Sequence, residues 1–324
     1  MPREAEKSVV DGAPRSHHAP HAPSSLSWWR PQPRWLPAAA FGALLLSAAF
    51  GFWLRGAAAA RRRRLDFPPP AKLDALIASA QDRLKANPQD LDALVQLGTL
   101  HFEKGKDSYA DGINELEEAR DLGALDPRVF YCLGIMYQEA GLYSFAIEDY
   151  RRYLRHYPED KEIRMLLAKL LYKQGSFAEA VEEYERLKFR FPKDLLVEEN
   201  LGLSLWGAKD IDRAVANFSQ MSLVGGDAGR RAEFYLGQMA LDRKDYPGAL
   251  EHLLKAEPDP PHDIGVPQEK LQAALGTAYA KLNRWEEAKA AWERVLTLTP
   301  SDSKARSALR EASRRIPRTK KKKA

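Results

Sequence analysis

The sequence predicts an all-α fold, a solenoid of stacked antiparallel helix pairs carrying one N-terminal transmembrane helix. Two observations predict the solenoid. A small residue recurs inside amphipathic stretches at a period near 35, and a second small residue and a bulky one follow it at nearly fixed distances. The third observation, an uncharged run of twenty residues from Trp35 to Leu54, predicts the membrane span.

Composition bounds the rest. Charged residues make up 29% of the 324 and hydrophobic ones 44%, the balance of a water-exposed body rather than of a polytopic membrane protein. Cys132 is the only cysteine, which excludes an internal disulfide and any cysteine-based zinc site. The net charge of +5 is badly distributed. Arg61 to Arg64 and the cluster Arg314, Arg315, Arg318 and Lys320 to Lys323 hold eleven positive charges, which leaves the remainder at −6. A basic balance made by two short segments does not indicate a nucleic-acid-binding domain.

Residues 1–34 are rich in Pro, Ala, Ser and His without apolar periodicity, and are expected to be disordered. His17, His18 and His21 lie close together there, but a tail of this kind has no fixed geometry for a metal. Trp35 to Leu54, bracketed by Arg34 and Arg55, would span ~30 Å as a helix, the thickness of a bilayer core. Trp28, Trp29, Trp35 and Trp53 sit at its ends, where indole rings settle at the lipid–water boundary. A leader of more than thirty residues and the arginines that follow argue against a cleaved signal peptide ending at Ala57 to Ala60. Arg55 and Arg61 to Arg64 outnumber Arg30 and Arg34, which places the body on the cytoplasmic side. Arg3, Lys7 and Arg15 weaken that contrast, and the periplasmic or external side stays open. Residues 55–71 form a basic linker in which Pro68 to Pro70 make a short stiff spacer.

The repeating body follows. Leu-Gly or Leu-Ala recurs with Gly98, Gly134, Ala168, Gly202, Gly237 and Gly276 as the small residues, spaced by 36, 34, 34, 35 and 39. Twelve residues after five of them stands Ala146, Ala180, Ala214, Ala249 or Ala288; Gly112 follows Gly98 by fourteen. Four residues further come Leu116, Tyr150, Tyr184, Phe218, Leu253 and Trp292. A small residue on each of two antiparallel helices lets them cross closely, and the bulky neighbour fills the groove beside the crossing. Gly141 and Gly175 fall at turns where positive φ is wanted. Pro158, Pro192 and Pro300 close three units. Two departures stand out: Gly225 to Gly229 replaces a closing proline, read as a slightly long turn, and Glu257 to Gln268 is expected to protrude as a Pro-rich loop.

This small–small–bulky–Pro pattern strongly resembles the tetratricopeptide repeat family. The resemblance implies a right-handed superhelical solenoid over residues 72–316. It has six repeats beginning near Leu91, Pro127, Lys161, Leu195, Arg230 and Glu269, with flanking helices at about 72–86 and 303–316 and a basic tail at 317–324. It also implies that the first helix of each pair lines a concave groove. Positions three before, one after and four after the small residue share one helical face. They nominate Phe102, Tyr131, Ile135, Met165, Lys169, Tyr172, Leu203, Trp206, Phe234 and Leu241 as groove residues. Only Lys169 matches the Lys and Asn that some family members use to grip a free carboxylate, so that ligand is not expected.

No His-Glu-x-x-His, Gly-x-Ser-x-Gly, Gly-x-Gly-x-x-Gly or paired-cysteine spacing appears, so neither enzyme nor cofactor is expected. The expectation is a membrane-anchored scaffold that takes an apolar or amphipathic segment of a protein partner in its groove, in an envelope-associated assembly. The alternative is a self-assembling structural subunit, a homo-oligomer of a membrane complex. Arg61, Arg62, Arg63, Arg64 and Lys320, Lys321, Lys322, Lys323 are the expected contacts to anionic lipid. Nucleic acid is a poor fit, because no aromatics interleave these charges for bases to stack on.

Overall fold

The computed structural model describes residues 72–317, and the expected tail, span and linker before them and the lysines after them lie outside this range. Among the described residues there are fourteen α-helices and no strand, and no helix is long and apolar enough to cross a membrane. A leading helix α1 (Leu73–Ala86) is followed by six helix pairs. They are α2 (Leu91–Lys104) and α3 (Tyr109–Asp121); α4 (Pro127–Glu139) and α5 (Tyr143–His156); α6 (Lys161–Lys173) and α7 (Phe177–Arg190). Then come α8 (Leu195–Gly207) and α9 (Ile211–Ser222); α10 (Gly226–Asp242) and α11 (Tyr246–Ala256); α12 (Gln268–Lys281) and α13 (Trp285–Leu298). A closing helix α14 (Ser303–Arg315) ends the array.

Local chemistry starts most of these helices. Asp90, Asp126, Asp160, Asp194 and Asp302 each precede a helix and accept hydrogen bonds from its first free backbone N–H groups. Such a cap contributes ~1 kcal/mol. Asp210 and Asp245 do the same for α9 and α11. At the turns inside the pairs the chain needs positive φ, supplied by Gly141 and Gly175 as the sequence suggests. In later repeats Lys209, Lys244 and Asn283 adopt it at φ 65°, 63° and 59° without glycine's freedom.

The crossings follow the small residues. A Cβ on Gly98 would lie 2.5 Å from Leu116, on Gly134 2.6 Å from Tyr150, on Gly237 2.6 Å from Leu253 and on Gly276 2.7 Å from Trp292. In each case the obstructing side chain is the bulky residue expected from the spacing. Successive repeats are tied by ion pairs between second helices, Arg151 to Glu179 and Arg213 to Glu185, while Arg164 meets Glu183 at 2.5 Å inside the third pair.

Two expectations are corrected. The Gly225–Gly229 stretch is a turn only at Gly225; from Gly226 the chain is already helical, so α10 starts four residues before Arg230. Gly229 sits where its absent Cβ would press on the Ser222 carbonyl at 2.8 Å, which explains a small residue there. The connection after Glu257 does not protrude as a whole. Ile264 and Val266 are buried in a cluster with Phe234, Leu250, Leu253, Leu271 and Leu275. Arg230 donates to the Glu257 carbonyl at 2.6 Å and Arg231 to the Ile264 carbonyl at 3.1 Å, fastening both ends of the segment.

Asp149 on α5 is 1% exposed, with Arg152 at 3.4 Å and Arg120 at 3.7 Å. Burial pushes its carboxyl up to about 6, which the two arginines only partly offset and Glu148 and Glu117 reinforce. The folded protein therefore takes up this proton more readily than the unfolded chain, whose ordinary value is 3.8. Above pH ~6 the buried charge opposes folding, and the penalty is relieved as pH falls towards ~4. Relative to Asp149→Asn, the parent should gain on the order of 2 kcal/mol between pH 7 and pH 4.5 in chemical denaturation. Identical pH profiles for the two proteins would exclude this role.

Candidate functional site

First helices touch one another at two steps, α2 with α4 and α10 with α12, whereas no two second helices approach as closely, so the row of first helices is the inner side of the array. The face this row presents is built at one helical spacing, and it is not uniformly open. Tyr131, Met165 and Phe234, three residues before the small residue, are buried. Tyr131 lies between Phe102 and Tyr153, with ring centroids at 5.9 and 5.6 Å, and Phe234 packs in the cluster under the 257–267 connection. These three belong to the wall of the groove and not to its open surface, which corrects the expectation that their side chains are on offer.

The other nominated residues are open to differing degrees. Phe102, Ile135, Leu203, Trp206 and Leu241 are half-buried, and Lys169 and Tyr172 are exposed. Phe102 stacks on Tyr109 at 5.8 Å, and Leu241 leans on the cluster around Phe234. Tyr172 is 38% exposed, its ring set edge-on to Phe177 at 5.2 Å, and Phe177 in turn packs over Gly207 next to Trp206. Phe177 thus links Tyr172 at the end of α6 to the end of α8 at Trp206, with Lys169 and Leu203 one turn earlier on the same two helices, in the middle of the array. Leu196, at the start of α8, adds a 51% exposed apolar side chain that the spacing rule did not nominate.

On the same helix lies a buried polar group whose partners the sequence does not announce. Glu199 is buried on α8 and accepts from Arg231 Nε at 2.9 Å and from Tyr235 Oη at 2.9 Å, both on α10. Burial, with the Glu199 carboxylate next to it, raises the Tyr235 hydroxyl well above the usual phenol range, so Tyr235 stays a proton donor. The Tyr184 hydroxyl, fully buried on α7, has no hydrogen-bond partner. Glu199 occupies the same inward position as Tyr131 and Met165, but the spacing does not show that Arg231 and Tyr235 of the next repeat hold it.

A second hollow, of about 730 Å³, opens where the long connection leaves α11. Its walls include Leu254, Pro258, Pro261 and Leu298, and at its base Gln272 donates to Glu257 Oε1 at 2.7 Å while Arg294 Nη1 reaches the same oxygen at 3.2 Å. All three polar groups answer one another. Among the described residues no three His, Cys, Asp or Glu side chains are grouped as metal ligands would be.

Known proteins are consistent with this architecture. Tetratricopeptide-repeat models match residues 131–194, 200–264 and 270–302, together half of the chain. No curated protein matches it. Among solved structures, the C-terminal part of a TPR repeat-containing protein from Cytophaga hutchinsonii aligns with a TM-score of 0.53 and 16% identity, over 74% of this chain and 98% of that one. Naa15/Naa10 bound to HypK-THB aligns with a TM-score of 0.50 and 19% identity, over 75% of this chain and 37% of that one. The APC/C hetero-tetramer Cut9–Hcn1 aligns at 0.45 with 15% identity, over 75% of this chain. The chain therefore spans 37% and 46% of the length of the latter two. At these identities the likeness is one of fold. By its repeats, its crossings and the matched models, the chain belongs to the tetratricopeptide repeat family.

Proposed function

We propose that the protein is a membrane-anchored interaction scaffold whose groove takes an apolar or amphipathic segment of a protein partner. The observation that carries this reading is the group Tyr172, Leu203 and Trp206, large apolar side chains left partly open on the inner curve with Lys169 beside them. Clustered open apolar surface of this kind marks an interaction site. The uncharged run at 35–54 supports an anchor, and Arg61 to Arg64 favour a cytoplasmic solenoid in an envelope-associated assembly. Protein-bound relatives of the fold, such as the one in complex with HypK, make a protein ligand the natural class.

Changing Tyr172 and Trp206 singly to alanine should leave helical circular dichroism intact and weaken partner binding by ~2 kcal/mol each, about thirtyfold. The partner is recovered by affinity capture from solubilised membranes, with the double variant as the control. Equal capture by parent and double variant would remove the groove from the reading. If concentration-dependent sedimentation showed self-association that the same changes abolished, the self-assembling subunit would replace the scaffold.

A further inference from the structure

The closing helix differs in charge from the helices before it. Residues 72–302 hold forty acidic residues against thirty basic ones, whereas α14 holds five basic residues and only Glu311. It packs on α13 through a side on which Ala305 and Ala312 are buried, and its other side is exposed. Arg306, Arg310 and Arg314, four residues apart, make one stripe along the exposed side, about 12 Å long. The stripe is not neutralised. Arg306 donates to the Pro300 carbonyl at 2.8 Å and Arg310 to the Arg306 carbonyl at 3.3 Å, and no ion pair among the described residues includes any of the three. At its C-terminal end Leu309, Ile316 and Pro317 line a hollow of about 750 Å³ rimmed by Arg310 and Arg314.

A ridge of the opposite sign stands in the first pair. α3 holds five acidic residues against Arg120. Two of the five are engaged: Glu115 meets His101 at 2.7 Å, and Glu117 accepts from Tyr137 and Arg120. The other three, Asp111, Glu118 and Asp121, are exposed on the side away from buried Gly112, Leu116 and Ala119. No ion pair among the described residues includes them, and from first to last they run for about 15 Å. Leu122 and Leu125, 40% and 76% exposed, follow at the C-terminal end of this ridge.

We infer that α14 of one copy of the chain docks on α3 of a second copy. With the two helices laid parallel, the basic stripe meets an acidic ridge of nearly its own length. The same arrangement brings Leu122 and Leu125 to the hollow beside Leu309 and Ile316. The two patches are different surfaces of the chain, so the contact is head-to-tail, and each copy in a row keeps one patch free for the next. An anionic lipid or a nucleic acid would suit the arginines but would leave the acidic ridge and its two leucines without a role. The contact uses neither Tyr172 nor Trp206, so it goes beyond the groove reading and is tested apart from it.

Sedimentation velocity of the full chain in a nonionic detergent tests this. In about 0.05 M salt the mean sedimentation coefficient should climb with protein concentration, and about 0.5 M salt should return it to that of one copy. R310E/R314E and E118K/D121K should each weaken self-association at least about tenfold, because reversed charges repel where they attracted. Mixed in equal amounts, the two variants should associate within about threefold of the parent, since the acidic α14 of one then faces the basic α3 of the other. Both should melt with the parent. For one that does not, R310Q/R314Q or E118Q/D121Q takes its place, with a loss of about threefold expected. A parent that sediments as one copy at every concentration, association that neither reversal weakens, or loss without recovery on mixing would overturn the inference. So would association that Tyr172→Ala and Trp206→Ala abolish and the charge reversals leave intact. Failure of partner capture with self-association unchanged would count against the groove reading alone.

Discussion

Gly202→Leu lowers the stability of the solenoid by about 3 kcal/mol. A Cβ at this position would lie 2.6 Å from Asn217 Oδ1 and 2.6 Å from the Phe218 ring. Neither can withdraw. Phe218 is fully buried and held against the Tyr235 ring at 4.9 Å, and Asn217 is 6% exposed beside Glu198. Leucine adds three more carbons to that crossing, so α8 and α9 must separate or a side chain must leave its rotamer. Because neighbouring repeats share interfaces, the strain passes to α7 and α10 and is not confined to one pair. Urea denaturation of parent and variant measures it, and coincident curves would mean that the two helices do not cross at Gly202.

Arg231→Ala should cost a similar amount, about 3 kcal/mol, for a different reason. Glu199 is held in the interior by the Arg231 guanidinium and the Tyr235 hydroxyl. Removing the guanidinium leaves a carboxylate with one neutral donor in surroundings that solvate it poorly. The same arginine holds the Ile264 carbonyl, so the 257–267 connection loses a fastening as well. Adding Glu199→Gln to the variant should recover part of the loss, since the orphaned charge goes with it. Limited proteolysis should meanwhile show faster cleavage at 257–267 in both. A single variant as stable as the parent, with an unchanged cleavage rate, would show that Glu199 needs no cation.

The crossings were legible because their signal is local and periodic: Gly134 and Tyr150 are sixteen residues apart and meet on one pair of helices. What was not legible depends on a neighbour. The inward face of a helix can be drawn from its own spacing, but whether Tyr131 is open depends on Phe102 and Tyr153 from other helices. Positive φ at Lys209 and Lys244 left no trace, because the turn geometry is imposed by the paired helices and tolerated by an ordinary residue. Ile264 and Val266 were hidden in a segment whose prolines spoke for a loop, although two apolar residues at alternate positions were a cue to burial. Gly226 read as a turn residue and begins a helix.

Among the described residues the helices number fourteen, an even count, and the two unpaired ones, α1 and α14, stand at opposite ends of the array. Together they amount to one further repeat split in two. Parity therefore fixes the side from which the termini emerge: inserting or deleting a whole pair changes the length of the array and leaves both termini on the same side. Gain or loss of a single helix would send one terminus to the other side. The architecture is thus free to vary in reach by whole repeats at constant polarity, and is intolerant of half-steps.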